Sequence, residues 1–393
     1  MRRQGPREDD RGARRRPALG RGGRGPRRAR RARVGRLHVT PGGVSVRAAR
    51  EADRPAWEAF VGRRPEGDPL QTWAWGDVVA PTGESPRRLV IVEGSEERLR
   101  GLAQGLVRPV GLGRTMLYVP HGPLWEREAV DGSTLLSALV AGLRDLARAE
   151  RSIVVKLDPR ATFGGADPGP ALGGLGLRRA GQDLQAQTTR LVDLSVGDEA
   201  LWATWHADAR RLVRRSAREG VTVEVVRDAA EGPLAAFAAL LEETGRRGRF
   251  RARRLGFLRR AAEAFAPDRA WFLVLARLDG RPIAGVAAPR VADRAYYLYG
   301  ASSRDPAVTH AYGAYAALAA LMRALAADGV RTLDLWGVTE RDDPQADSAW
   351  AGFSAFKRSF GGRPLRHPGT WDLVIEPLWN GLREVVGRLP GRG

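Results

Sequence analysis

The run Trp271-Phe272-Leu273-Val274-Leu275 has a counterpart in Arg88-Leu89-Val90-Ile91-Val92, and Arg281-Pro282-Ile283-Ala284-Gly285 has one in Gly101-Leu102-Ala103-Gln104-Gly105. Tyr297-Leu298-Tyr299 answers Tyr118-Val119-Pro120 in the same order. A helix-patterned stretch follows in each half, Gly132 to Glu150 and Ala311 to Asp328. Each leads into an apolar strand, Ile153 to Asp158 and Thr332 to Trp336. The offset between the halves stays at 179 to 182 residues through four correspondences, which marks an internal duplication. Each half reads as helices, antiparallel strands, a helix and a further strand, an α/β (α+β) layered unit with helices covering a sheet.

Composition narrows the function classes. The chain has 393 residues with 43% apolar content, enough for two domains with their own cores. There are no cysteines, which removes disulfides, thiol nucleophiles and Cys-ligated zinc. The five histidines, His38, His121, His206, His310 and His367, never fall in a metal-ligand spacing, so no metal is expected. The richest apolar stretch, Ala311 to Ala327, is interrupted by Arg323 and reads as a core helix rather than a membrane span.

The net charge of +20 is unevenly spread, because residues 1 to 40 hold 15 arginines against Glu8, Asp9 and Asp10. Residues 1–43 therefore read as a disordered, arginine-rich arm without a signal-peptide core. The arm is either a tether to nucleic acid or anionic membrane, or an over-extension of the frame with the start near Val34. The second reading is preferred, and no function is placed there.

Among 65 basic residues only Lys156 and Lys357 are lysine. Arginine has served wherever a fixed charge sufficed. A compact ammonium can instead enter a tight site or lose its proton, which a guanidinium cannot. Lys357 sits in Phe353-Ser354-Ala355-Phe356-Lys357-Arg358-Ser359-Phe360-Gly361-Gly362. There Phe353, Phe356 and Phe360 recur at core-stripe spacing and the two glycines end the helix. The bland alternative is a solvated lysine on an ordinary amphipathic helix.

The order of elements resembles the GNAT type of acyl-CoA-dependent N-acetyltransferase, in tandem. That resemblance implies a pyrophosphate-binding loop where the last core strand enters the helix. The second half has His310-Ala311-Tyr312-Gly313-Ala314-Tyr315 there. Histidine replaces the leading basic or amide residue and tyrosine stands where a small residue is needed, so no CoA is expected.

Seven stretches in register resemble the Fem family (FemABX) of non-ribosomal peptidyltransferases. They are Gln71 to Gly76, Tyr118 to Pro123, Lys156 to Pro159, Arg210 to Val221, Glu243 to Arg247, Tyr299 to Ser302, and Asp334 to Val338 with the Phe356-Lys357 pair. The resemblance implies two GNAT-like domains, 44–186 and 187–367, with 368–393 returning to complete the first. It implies an aminoacyltransferase of the compact FemX-like type, adding an amino acid from aminoacyl-tRNA to the stem peptide of a lipid-linked or UDP-linked peptidoglycan precursor. No cofactor is then needed, and the protein is expected in the cytoplasm, with peripheral contact at the inner face of the membrane. The alternatives are a CoA-dependent N-acyltransferase and a non-catalytic nucleic-acid-binding protein.

By resemblance Lys357 and Phe356 are the catalytic element. Asp158 and Asp334 end equivalent strands; duplication makes one of them structural, and Asp158 is taken as a candidate general base. A helix read over Glu199 to Glu219 spaces Arg210, Arg214 and Arg218 in a row suited to phosphates. Arg247 and Arg253, from the cluster around Phe250, are chosen as substrate contacts. So are Tyr299, Gln71 and Trp75, although Trp73 and Trp75 also read as core. Departures from the family are His121 in place of an arginine, Asp208 in place of a basic residue, and Val78-Val79-Ala80 where a lysine is usual.

Overall fold

The computed structural model describes residues 38–39, 43–248, 251–340 and 351–381. The expected arginine-rich arm, with Arg249 and Phe250 of the basic cluster, lies outside them but for residues 38, 39 and 43.

The first half opens with β1 (Val44–Ala48), α1 (Arg54–Arg63) and α2 (Trp73–Val79). An antiparallel meander follows, β2 (Ser85–Glu93), β3 (Arg98–Gly111) and β4 (Arg114–Val119). Helix α3 (Gly132–Ala149) then carries the chain to β5 (Ser152–Leu157), which pairs parallel with β4. A parallel neighbour needs such a crossover, because a tight turn cannot reverse the chain twice.

The second half begins at β6 (Thr188–Asp193), α4 (Asp198–Thr204), α5 (Ala207–Arg218), β7 (Thr222–Val226), α6 (Glu231–Gly248) and α7 (Leu255–Phe265). Its meander is β7 with β8 (Trp271–Leu278), β9 (Arg281–Val291) and β10 (Arg294–Tyr296), and β11 (Tyr299–Ser302) pairs along β9. Helix α8 (Gly313–Ala327) is the crossover to β12 (Thr332–Asp334), parallel to β10. After α9 (Ala351–Arg358) comes β13 (Arg363–Arg366), antiparallel to β6, and finally β14 (Trp371–Val374).

The two sheets repeat one plan. Each has four antiparallel strands, a parallel fifth, and an antiparallel closing strand beside the fifth. In the second sheet β6 closes against β12. In the first the closing strand is β14, which returns from the far end of the chain to pair with β5. The duplication read from the sequence is therefore structural, and the fold is two tandem GNAT-like units.

Crossover helices bury one face on each sheet. Leu135, Leu139, Leu143 and Leu146 of α3, at helical spacing, pack with Leu89, Leu117 and Val155, while Leu318, Leu321, Met322 and Leu325 of α8 pack with Phe272, Val274 and Ala284. Each fully buried leucine contributes about 1.5–3 kcal/mol. Two further clusters span both halves: Trp75, Val78 and Leu106 with Phe257, Leu273 and Ala287, and Trp57, Phe60 and Trp73 with Val291 and Tyr296.

The helix expected over Glu199 to Glu219 is two helices. Trp205 is extended, and its ring is buried against Phe360. His206 then caps α5, its ring nitrogen accepting from the Asp208 N–H at 3.3 Å. Gly361 and Gly362 both take positive φ, +79°, which turns the chain from α9 into β13 as their placement suggested. Of the expected phenylalanine stripe only Phe360 is fully buried; Phe353 is 42% exposed.

Candidate active site

Lys357 is 1% exposed. Its Nζ donates to the Gly337 carbonyl at 3.1 Å and lies over two aromatic rings, Phe353 at 3.8 Å and Tyr297 at 4.6 Å from the centroids. A buried ammonium has lost its hydration, and one carbonyl with two ring faces replaces only part of it. Burial pushes the amine well below the ordinary lysine value, against an opposing pull from the Asp334 carboxylate. The solvated-lysine alternative is excluded by this burial. Phe356 does not cover the amine; its ring packs edge-on against Tyr315 at 5.0 Å and against Phe360 at 5.5 Å, which anchors α9.

A buried ionic chain runs beside Lys357 and joins the halves. Arg160, in the segment after β5, donates Nη1 to Asp68 at 2.8 Å and Nη2 to Asp334 at the end of β12. Asp68 also meets the His121 ring. Asp334 accepts in addition from the Thr189 hydroxyl and, at 2.7 Å, from the Trp336 N–H. All five side chains other than Trp336 are nearly inaccessible. Burial would raise Asp68, but His121 and Arg160 hold it below the usual carboxylate range. Burial would likewise lower Arg160, yet Asp334 and Asp68 hold its guanidinium above the ordinary value.

A small cavity lies among His121, Arg160, Thr189, Asp334, Trp336, Gly337 and His367. His367 also lines a larger polar groove with Arg179, Asp183, Gln187 and Arg366. Its Nδ1 accepts from the Ala161 N–H at 3.2 Å, which leaves the proton on Nε2. Burial, with Arg160 and His121 adding, pushes it well below the ordinary histidine value.

The remaining sequence candidates divide. Asp158 is buried, accepts from the Tyr118 hydroxyl at 2.5 Å and from the Thr370 hydroxyl, and burial raises its carboxyl. Both oxygens are engaged, so it ties β14 to β4 and β5 rather than facing a substrate. Gln71, fully buried, spends its amide on the Pro120 carbonyl at 2.6 Å and on the Gln104 backbone. Trp75 is buried edge-on against Phe257 at 5.9 Å. These two are interior supports, corrected from substrate contacts because Gln71 spends its amide on backbone partners and Trp75 spends its ring on Phe257.

Arg214 is exposed and stacks over Trp202, while Arg210 is half-buried and donates to the Ala203 carbonyl. Arg247, exposed, reaches the Ser302 carbonyl, and Arg253 lies over the Phe257 ring, which in turn packs edge-on against Tyr299. Tyr299 is half-buried, its phenol pushed up by burial. Arginines of α5 thus lie on one side of the second unit, and Arg247, Arg253 and Tyr299 on the α6–α7 side. Sequence reasoning missed Arg160, Asp68, Tyr297 and Thr189, and passed over Asp334. The only signal was that His121 and Asp334 fell inside the family stretches.

The GNAT fold implies CoA, held by a loop of small residues before α8. Here Tyr312, in left-handed conformation at φ +52°, caps α8 with its carbonyl, and Arg215 lies over its ring at 5.1 Å. Tyr315 packs on Phe356 and Phe360. Tyr315 occupies the place of a small residue in that loop, and the residues present do not fit a pyrophosphate.

Comparison with known proteins agrees with this architecture. Residues 205–358 match the acetyltransferase (GNAT) domain family. A lipid II:glycine glycyltransferase of Staphylococcus saprophyticus is 29% identical over 237 residues, 58% of this chain and 55% of that protein, so this match spans about half its length. One from Staphylococcus aureus (strain bovine RF122) is 25% identical over 411 residues, covering 84% of this chain and 94% of that protein. The crystal structure of FemX superposes with a TM-score of 0.72 at 21% identity, covering 89% of this chain and all of that one.

Proposed function

From a chain that is a relative of the Fem-type glycyltransferases, we propose an aminoacyltransferase that adds an amino acid to the stem peptide of a lipid-linked peptidoglycan precursor, with aminoacyl-tRNA as donor. The observation that carries this reading is the near end-to-end match to a lipid II:glycine glycyltransferase, 84% of this chain against 94% of that protein. The buried Lys357 beside the junction of the halves supplies a chemical centre for it.

The donor ester is already activated, so the work is orientation, proton handling and oxyanion stabilisation. Burial that lowers the amine below its ordinary value favours its neutral form, the form able to accept a proton. Lys357 Nζ accepts one from the incoming ammonium of the stem peptide's diamino acid. The freed amine attacks the ester carbonyl carbon, forming the C–N bond and a tetrahedral oxyanion beside the new Lys357 cation. Collapse breaks the C–O bond; the tRNA 3′-oxygen leaves with the proton returned by Lys357, and the new amide nitrogen sheds its remaining proton to water. Arginines 210, 214 and 218 of α5 suit the tRNA phosphates. Arg247, Arg253 and Tyr299 suit the precursor's phosphate and sugar. No helix among the described residues is long and apolar enough to cross a membrane, so contact with a lipid-linked acceptor would be peripheral.

Mass spectrometry of lipid II incubated with the protein and mixed aminoacyl-tRNAs, or with acetyl-CoA, tests the reading. A gain of one amino-acid residue mass dependent on tRNA is expected. An acetyl gain alone would make the chain a CoA-dependent acyltransferase.

A further inference from the structure

Lys357's acceptor among the described residues, the Gly337 carbonyl, sits on a short turn whose shape is imposed by one side chain. Asp334 ends β12, and its Oδ1 accepts from the Trp336 N–H at 2.7 Å. Trp336 is held at φ +58°, a left-handed conformation that a tryptophan adopts only when its surroundings enforce it. The Thr189 hydroxyl bridges Asp334 and the Trp336 carbonyl, and Val338 N–H returns to the Thr188 carbonyl at 2.9 Å. The remaining oxygen of Asp334 is taken by Arg160, which belongs to the other half of the chain. Arg160 is itself seated by Asp68 at 2.8 Å, and its backbone carbonyl accepts from Arg127 at 3.0 Å.

We infer that Arg160 is a positioning residue: through Asp334 and the turn to Gly337 it sets the place and orientation of the Lys357 amine, so that the first half aligns the reactive group of the second. The inference rests on Lys357 being the reactive amine of the function proposed above. The guanidinium fork reaches two carboxylates that a single ammonium cannot span. The titratable groups facing Lys357 among the described residues are Asp334 from β12 and Tyr297 from the segment after β10. Arg160 neutralises the first of these, so loosening it leaves a less compensated carboxylate beside the amine, which then holds its proton more tightly.

Arg160→Lys separates this from a purely structural role. The chain has two lysines, so protein labelled with 13Cε-lysine gives two side-chain signals plus the introduced one. Lys156, paired with Asp372, is the internal control. The inference expects the Lys357 titration midpoint to rise by at least about half a pH unit while that of Lys156 stays put. Transfer kcat is expected to fall about 100-fold or more, with KM for either substrate within about threefold. Asp68→Asn, which unseats Arg160 from its other side without changing volume, serves if Arg160→Lys does not fold, with the same signs. An unmoved Lys357 midpoint in the folded variant, or a loss confined to KM, overturns the inference. A moved midpoint in a protein whose wild type transfers nothing would sustain the positioning and refute the transfer reading.

Discussion

Lys156 and Asp372 face each other across β5 and β14, with Nζ 2.6 and 2.8 Å from the two carboxylate oxygens and both side chains at most 10% exposed. They are a registered cross-strand pair, and they fasten the strand that returns from the chain's end. Breaking one member of a buried pair leaves an uncompensated charge, which costs about 3–5 kcal/mol, while replacing both with apolar residues is often near neutral. Lys156→Met is therefore expected to lose that much in denaturant titration, and Lys156→Met with Asp372→Leu to recover most of it.

Lys357 is expected to cost stability. Its folded value lies below the unfolded one, so the unfolded chain binds a proton that the buried amine gives up, and stability falls as pH drops from the ordinary lysine range towards the folded value. At neutral pH that penalty is present. Lys357→Met, similar in volume and apolar, is expected to raise Tm by at least about 2 °C in calorimetry. A lowered Tm would contradict the unfavourable burial of the amine.

His367 and Asp68 set the acid limb. His367 is depressed, so the unfolded state takes up a proton near pH 6.5 that the folded state refuses. Stability is expected to fall as pH drops below about 6.5, by at most about 1.4 kcal/mol per pH unit for this one group. Asp68 is depressed as a carboxylate, so its contribution is present above the unfolded value near 3.9 and is lost only as pH falls through its lower folded value. Urea midpoints from pH 8 to 5 should therefore decline in the wild type and decline less steeply in His367→Asn.

The arginines of α5 should act on tRNA rather than on the fold. Arg214 and Arg218 are exposed, so Arg214→Glu with Arg218→Glu is expected to change stability by less than about 1 kcal/mol in total. Affinity for aminoacyl-tRNA is expected to fall at least about tenfold. The slope of log affinity on log salt should drop by about 0.7–0.9 for each phosphate that the variant no longer neutralises. Filter binding across a salt series measures both.

The duplication was legible because apolar period and element order survive where residue identity does not. Leu89 and Phe272 differ in shape but occupy the same strand of the plan. Lys357 was legible from rarity, since a residue type nearly absent elsewhere stands out wherever it is kept. Its burial was not, because the cover comes from Tyr297 and Gly337, which only the fold brings to it. Gln71 and Trp75 misled because a family stretch marks positions without saying which way a side chain points. Arg160 was hidden among 63 arginines, and what distinguishes it is the convergence of Asp68 and Asp334 from opposite halves. The break at Trp205 escaped periodicity because a buried aromatic fits the helical pattern on both sides of it.

The most direct test of the central claim is single-turnover transfer onto lipid II by wild-type protein and by Lys357→Met, followed by mass spectrometry with the fold of each checked by calorimetry. One added amino-acid residue per precursor is expected with the wild type and none with a stably folded Lys357→Met. Transfer by that variant at the wild-type rate would contradict the claim.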